Sequence, residues 1–94
     1  MNDKWAKLGF ASRAIHAGSE PDPVHGGVNP SIELSSTYAQ PYPGSLASCY
    51  DYSRCGNPTV MALQRNLASM EGAKYALAMA NGMSATITAL SLLK

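Results

Sequence analysis

The sequence predicts an α/β protein: an extended N-terminal arm over residues 1–57, then the opening helix–strand–helix of a layered domain over residues 58–94. Three observations carry this reading. All six prolines lie at or before position 58, and six of the eight glycines at or before position 56. Past them comes an apolar stripe at helical spacing with stop signals at both ends. A short unbroken apolar run and a second helical pattern complete the chain.

The arm comes first. His25-Gly-Gly-Val-Asn-Pro30 and Gln40-Pro-Tyr-Pro-Gly44 are turn and extended-chain signals. Only Ile32 to Tyr38 alternates as a strand does, and briefly. So long a stretch without regular structure is unusual inside a compact domain. Trp5, Phe10, Ile15, Val28, Ile32, Leu34 and Tyr38 make it too apolar for a pure linker. The expectation is an arm that docks on a partner.

Residues 58–71 predict a helix. Asn57 suits the N-cap and Pro58 the first helical position. Val60, Leu63, Leu67 and Met70 form one apolar stripe, with Gln64 and Arg65 facing away from it. Gly72 stops the helix from the position after the C-cap. Tyr75 to Met79 predicts a buried strand, chosen over helix by its length and its flanking glycines. Ser84 to Leu93 resumes helical spacing, with Ile87 and Leu90 on one side and Ala85 and Ala89 permitting close packing. No Gly, Asn or Pro closes that helix before Lys94, a pattern expected of a fragment.

Composition excludes several classes. With 46% hydrophobic residues and a net charge of +1, the chain reads as globular, and its scattered basic residues argue against nucleic acid. No run approaches the ~20 apolar residues of a membrane span. Residues 1–10 are mixed and charged, unlike a secretory signal. Cys49 and Cys55 make no disulfide framework and no metal site, and are expected as free thiols. A soluble cytoplasmic protein without metal is the expectation.

Two places carry chemistry. Asn81-Gly-Met-Ser84 stands where a strand turns into a helix, so backbone N–H groups lack internal partners and the helix dipole adds positive potential. Gly82 permits close approach to a ligand, Met83 follows it, and Ser84 adds a hydroxyl, a combination that suits a phosphate. By itself a Gly in such a turn is ordinary architecture. Neither nucleotide-binding glycine fingerprint is present. Upstream, Tyr52 and Arg54 lie two apart, which in extended chain puts both on one side. The guanidinium offers a planar fork of donors for phosphate or carboxylate oxygens, and the phenol adds one hydroxyl. A solvated Arg beside a packing Tyr is the plainer alternative.

The pattern Tyr52-Ser-Arg-Cys-Gly-Asn-Pro-Thr59, followed about twenty residues on by a Gly-Met turn, resembles the N-terminal part of the Cys/Met-metabolism family of pyridoxal-phosphate enzymes, most closely its cystathionine gamma-lyases. Phe10-Ala-Ser-Arg-Ala-Ile-His-Ala-Gly18 is similar to the family's opening, and Asn29-Pro-Ser-Ile-Glu-Leu-Ser-Ser-Thr-Tyr38 to a later segment of the same arm. Glu71-Gly-Ala-Lys-Tyr75 fits the end of its first core helix. The resemblance covers nearly the whole chain.

It implies a fold-type I transferase domain, here truncated, and pyridoxal 5'-phosphate as cofactor. It implies that Gly82, Met83 and Ser84 bind the cofactor phosphate. Tyr52 and Arg54 would reach that phosphate from a neighbouring subunit and lie close to a small amino-acid substrate, within a homo-oligomer built as a dimer of dimers. The implied reaction converts cystathionine to cysteine, 2-oxobutanoate and ammonia. Gamma-synthase, beta-lyase and methionine gamma-lyase are alternatives, because the arm and the phosphate cradle are shared. A non-catalytic product that docks on full-length subunits is another, and an unrelated anion-binding module a third.

The lysine that forms the Schiff base in this family lies far beyond residue 94. Lys4, Lys7, Lys74 and Lys94 match no such motif and are expected to face solvent, so the chain holds no catalytic residue and is expected to be inactive alone. His16 and His25 receive no catalytic role. Pro30-Ser31 stands where the family often has Pro-Pro, and Ser84 where it often has Ala. Both departures are tolerable.

Overall fold

A computed structural model describes residues 4–45 and 49–93. Lys94, expected above to face solvent, lies outside them. The described chain holds three helices: α1 (Phe10–His16), α2 (Pro58–Met70) and α3 (Gly82–Leu90). No strand forms among the described residues, which corrects the helix–strand–helix expectation. Tyr75 to Met79 runs without helix or ladder. A strand is defined by pairing, and an apolar run has no ladder until a second run lies beside it. The alternating segment Ile32 to Tyr38 contributes one isolated antiparallel bridge, Thr37 with Tyr52.

Helix α2 forms as its sequence predicts. The Asn57 side chain accepts from the amides of Thr59 and Val60 at 2.8 and 3.4 Å, and Pro58 needs no amide partner. Its far end is a Schellman closure: Gly72 adopts φ +64°, its N–H meets the Ser69 carbonyl at 3.2 Å, and the Ala73 N–H meets the Ala68 carbonyl at 2.8 Å. Helix α3 starts two residues before the predicted position and ends three before it. The Asn81 side chain caps it by accepting from the Ser84 amide at 2.8 Å.

Helix α1 is a second correction, since it lies within the arm expected to be extended. It is seven residues long, and its N-cap, Gly9, offers no side-chain acceptor. Tertiary contacts with α2 supply what local sequence lacks. Arg13 Nη1 donates to the Ser69 carbonyl at 2.6 Å, and Asn66 Nδ2 donates to the carbonyls of Ala14 and Ala17 at 3.0 and 2.9 Å. The apolar residues of α1 play no part: Phe10 and Ile15 are 61% and 68% exposed.

The docking face on α2 is also not the apolar stripe. Ala62, Arg65, Asn66 and Ser69 meet α1 and the turn after it. That face is roughly 130° round the helix from Val60, Leu63, Leu67 and Met70. Val60 and Leu63 stay 42% and 50% exposed. Gly18 on the crossing chain is what lets the backbones come so near on this face.

The third layer is loose. Tyr75 to Leu77 run beside Met61, Gln64 and Ala68 of α2. With Met79 they also line a hollow of about 300 Å³ against Ala85, Thr88 and Ala89 of α3. Helix α3 packs on neither α1 nor α2 and has no buried residue. Among the described residues the buried apolar side chains are Ala17 and Ala68. The accessible surface is 7387 Å², against about 5,200 Å² for a folded monomer of this mass. The radius of gyration, 15.3 Å, likewise exceeds the roughly 12 Å of a compact domain of this length.

Candidate phosphate-binding site

The first half of the site is the entrance of α3. Asn81 takes the Ser84 amide as its cap, and the Ala85 amide bonds to the Asn81 carbonyl at 3.3 Å. No acceptor among the described residues meets the amides of Gly82 and Met83. A Cβ built on Gly82 would find nothing within 4 Å, so the space beside Gly82 at this entrance is open. Two unengaged donors, a helix dipole and an open approach fit a phosphate group. The cap narrows the expected donor set: Ser84 has only its hydroxyl to offer, because its amide is already bonded.

The second half is the turn at residues 52–56. Tyr52 and Arg54 are brought together, as expected: Arg54 Nη2 donates to the Tyr52 hydroxyl at 2.6 Å, and the guanidinium carbon lies 4.9 Å from the ring centre. The cause differs from the expected extended chain. Residues 53–55 form a turn, closed by the Cys55 and Gly56 amides, which donate to the Tyr52 carbonyl at 2.8 and 3.0 Å. The turn folds Arg54 back over Tyr52. One guanidinium nitrogen is committed to the phenol, and the exposed remainder of the fork is available to an anion.

The arm holds this turn in place. The Tyr38 amide donates to the Asp51 carbonyl at 3.0 Å, and the Ser53 amide to the Ser36 carbonyl at 2.8 Å. The rings of Tyr38 and Tyr50 lie 5.5 Å apart against that bridge. Burial raises the Tyr38 phenol pKa, with the Glu33 carboxylate adding to the effect. Thr59 fixes the arm further upstream. Its hydroxyl accepts from the Glu33 amide at 2.8 Å and donates to the Ser31 carbonyl at 2.9 Å.

No hydrogen bond or ion pair among the described residues joins Tyr52 or Arg54 to Gly82, Met83 or Ser84. Each half is formed locally, through hydrogen bonds within itself.

The remaining candidates sort plainly. Lys4 pairs with Glu20 at 2.8 Å and lies 4.7 Å from the Trp5 ring centre; Lys74 lies 5.3 Å from that of Tyr75. Lys7 is exposed. His16 stacks on Trp5, and His25 meets the Asp22 carboxylate at 3.1 Å. Cys49 and Cys55 are free and exposed. Among the described residues no cluster of His, Cys, Asp and Glu could hold a metal, and no helix is long and apolar enough to cross a membrane. Sequence reasoning missed Ser53, Thr59 and Asn66 as tethers. The Asn-Pro-Thr run signalled only the cap.

The sequence model described as Cys/Met metabolism PLP-dependent enzyme matches residues 11–94. Cystathionine gamma-lyase of Sus scrofa is 49% identical over 86 residues, covering 90% of this chain and 21% of the relative. Cystathionine gamma-synthase of Mycobacterium tuberculosis is 50% identical over 82 residues, covering 87% and 21%. This chain therefore spans about a fifth of the length of these relatives. Among solved structures, metB from Corynebacterium glutamicum superposes with a TM-score of 0.88 at 43% identity, covering 94% of this chain and 23% of that one. Yeast cystathionine gamma-lyase gives 0.83 at 42%, covering 94% and 22%.

Proposed function

This chain belongs to the Cys/Met-metabolism PLP-dependent enzymes, and we propose that it contributes the two phosphate-gripping elements of a cytoplasmic cystathionine gamma-lyase. The observation carrying this reading is the pair of unengaged amides at Gly82 and Met83, with open space beside Gly82. They would hold the cofactor phosphate, with the Ser84 hydroxyl beside them. Tyr52 and Arg54, already joined, would supply a cation and a hydroxyl to the same group from an adjoining copy, and would face the substrate carboxylate. Residues 1–57 would form the arm that docks on that copy, and residues 58–94 the start of the cofactor domain.

The cofactor, when bound, supplies the electron sink. The chain's own residues anchor and orient it, which fixes the reacting centre relative to the substrate. A lysine for covalent attachment would come from a longer polypeptide, since Lys4, Lys7 and Lys74 are exposed here. Gamma-synthase is the second reading, favoured by the 50% identity to the mycobacterial enzyme.

The test is to supply the enzyme carrying this segment with cystathionine and measure 2-oxobutanoate. Cystathionine formed instead from cysteine and an activated homoserine ester, supplied in a second assay, would select the synthase reading. Arg54→Ala should weaken cofactor retention; an unchanged protein would return Arg54 to the solvated surface.

A further inference from the structure

We infer that Asn57, beyond capping α2, is the residue that aims the Tyr52–Arg54 pair, acting through Ser53. The inference rests on the phosphate reading of that pair.

Asn57 is 7% exposed, and both ends of its amide are used. Oδ1 accepts from the amides of Thr59 and Val60. Nδ2 donates to the Ser53 hydroxyl at 3.0 Å and to the Glu33 carbonyl at 3.2 Å. A cap needs only the oxygen. The nitrogen does something else: it reaches back across the turn to the residue lying between Tyr52 and Arg54.

Ser53 is thereby fixed on two sides. Its amide bonds to the Ser36 carbonyl at 2.8 Å and its hydroxyl to Asn57. With Ser53 held against the start of α2, the turn that folds Arg54 back over Tyr52 is tied to that helix. Arg54 itself has no other tether among the described residues. Its placement depends on the turn, and the turn is referenced to α2 through one buried amide. Rigid support of this kind separates a grip from a floppy surface arginine.

The experiment compares binding of pyridoxal phosphate and of pyridoxal, which lacks the phosphate, to the apoenzyme carrying this segment. Three variants are used. Asn57→Asp keeps the capping oxygen but loses the donor. Ser53→Ala removes the tether's other end and leaves the cap untouched. Arg54→Ala removes the grip itself. We expect Ser53→Ala and Asn57→Asp each to weaken pyridoxal phosphate by about fivefold, the worth of one lost hydrogen bond, and to leave pyridoxal unchanged. A loss of general stability would not discriminate between the two ligands. If Asn57→Asp fails to fold, Ser53→Ala decides. Full preference for the phosphate form in Ser53→Ala, with the preference lost in Arg54→Ala, would overturn the aiming role alone. Full preference in Arg54→Ala would overturn the phosphate reading, and this inference with it.

Discussion

A Cβ added to Gly18 would stand 2.5 Å from the carbonyl oxygen of Ala62. The chain leaving α1 crosses α2 at that point, with Gly18 at φ +77°. The same Cβ would lie 3.1 Å from both Arg65 Cβ and the Asn66 amide. No side chain is present to yield at the closest contact, so backbone would have to move.

Gly18→Ala is therefore expected to destabilise the α1–α2 junction by about 2–4 kcal/mol, combining left-handed backbone strain with overpacking. Thermal or urea unfolding of the protein measures this. A loss below about 0.5 kcal/mol would mean that the helices separate at little cost.

Asn66→Ala should cost about 1–3 kcal/mol by a different route. The Asn66 amide is donor to the carbonyls of Ala14 and Ala17, and Ala17 is 1% exposed. Removing the donor strands the Ala17 carbonyl, where water has poor access. Hydrogen exchange should then show α1 opening before α2. Equal protection of both helices would contradict that order.

Gly82→Ala separates stability from binding. The new methyl meets open space, and alanine favours a helix over glycine by up to about 1 kcal/mol. The variant should be as stable as the parent or slightly more so. It should nevertheless hold pyridoxal phosphate less well, because the methyl adds bulk beside the entrance proposed to hold the phosphate. Undiminished retention, measured by dialysis and absorbance, would place the phosphate elsewhere.

Glu33 gives a pH prediction. The Ser35 hydroxyl, and then the Ser35 amide at 3.1 Å from Oε1, hold its carboxyl below the ordinary carboxylate range. A depressed pKa favours the folded arm above the unfolded value, and that contribution fades as pH falls through the folded value. Ser35→Ala should move the Glu33 titration upward, toward the ordinary value, as followed by carboxyl NMR. An unmoved midpoint would show that the hydroxyl is not the main cause.

Local chemistry wrote much of this molecule into its sequence. Asn57-Pro58 and Gly72 delimit α2, Asn81-Gly82 opens α3, and each works through atoms a few residues apart. The candidate phosphate-site residues are short-range features too, though the sequence predicted Tyr52 and Arg54 in extended chain and only the family resemblance implied their role. What the sequence could not disclose depends on residues far apart in the chain. Helix α1 exists because Asn66 and Arg13 bridge it to α2 across about fifty positions. The apolar stripe of α2 stays half exposed because Gly18 and Ala62 let backbones approach on another face. Tyr75 to Met79 is a strand by composition only, because a ladder is a property of two segments and the described chain brings it no second one.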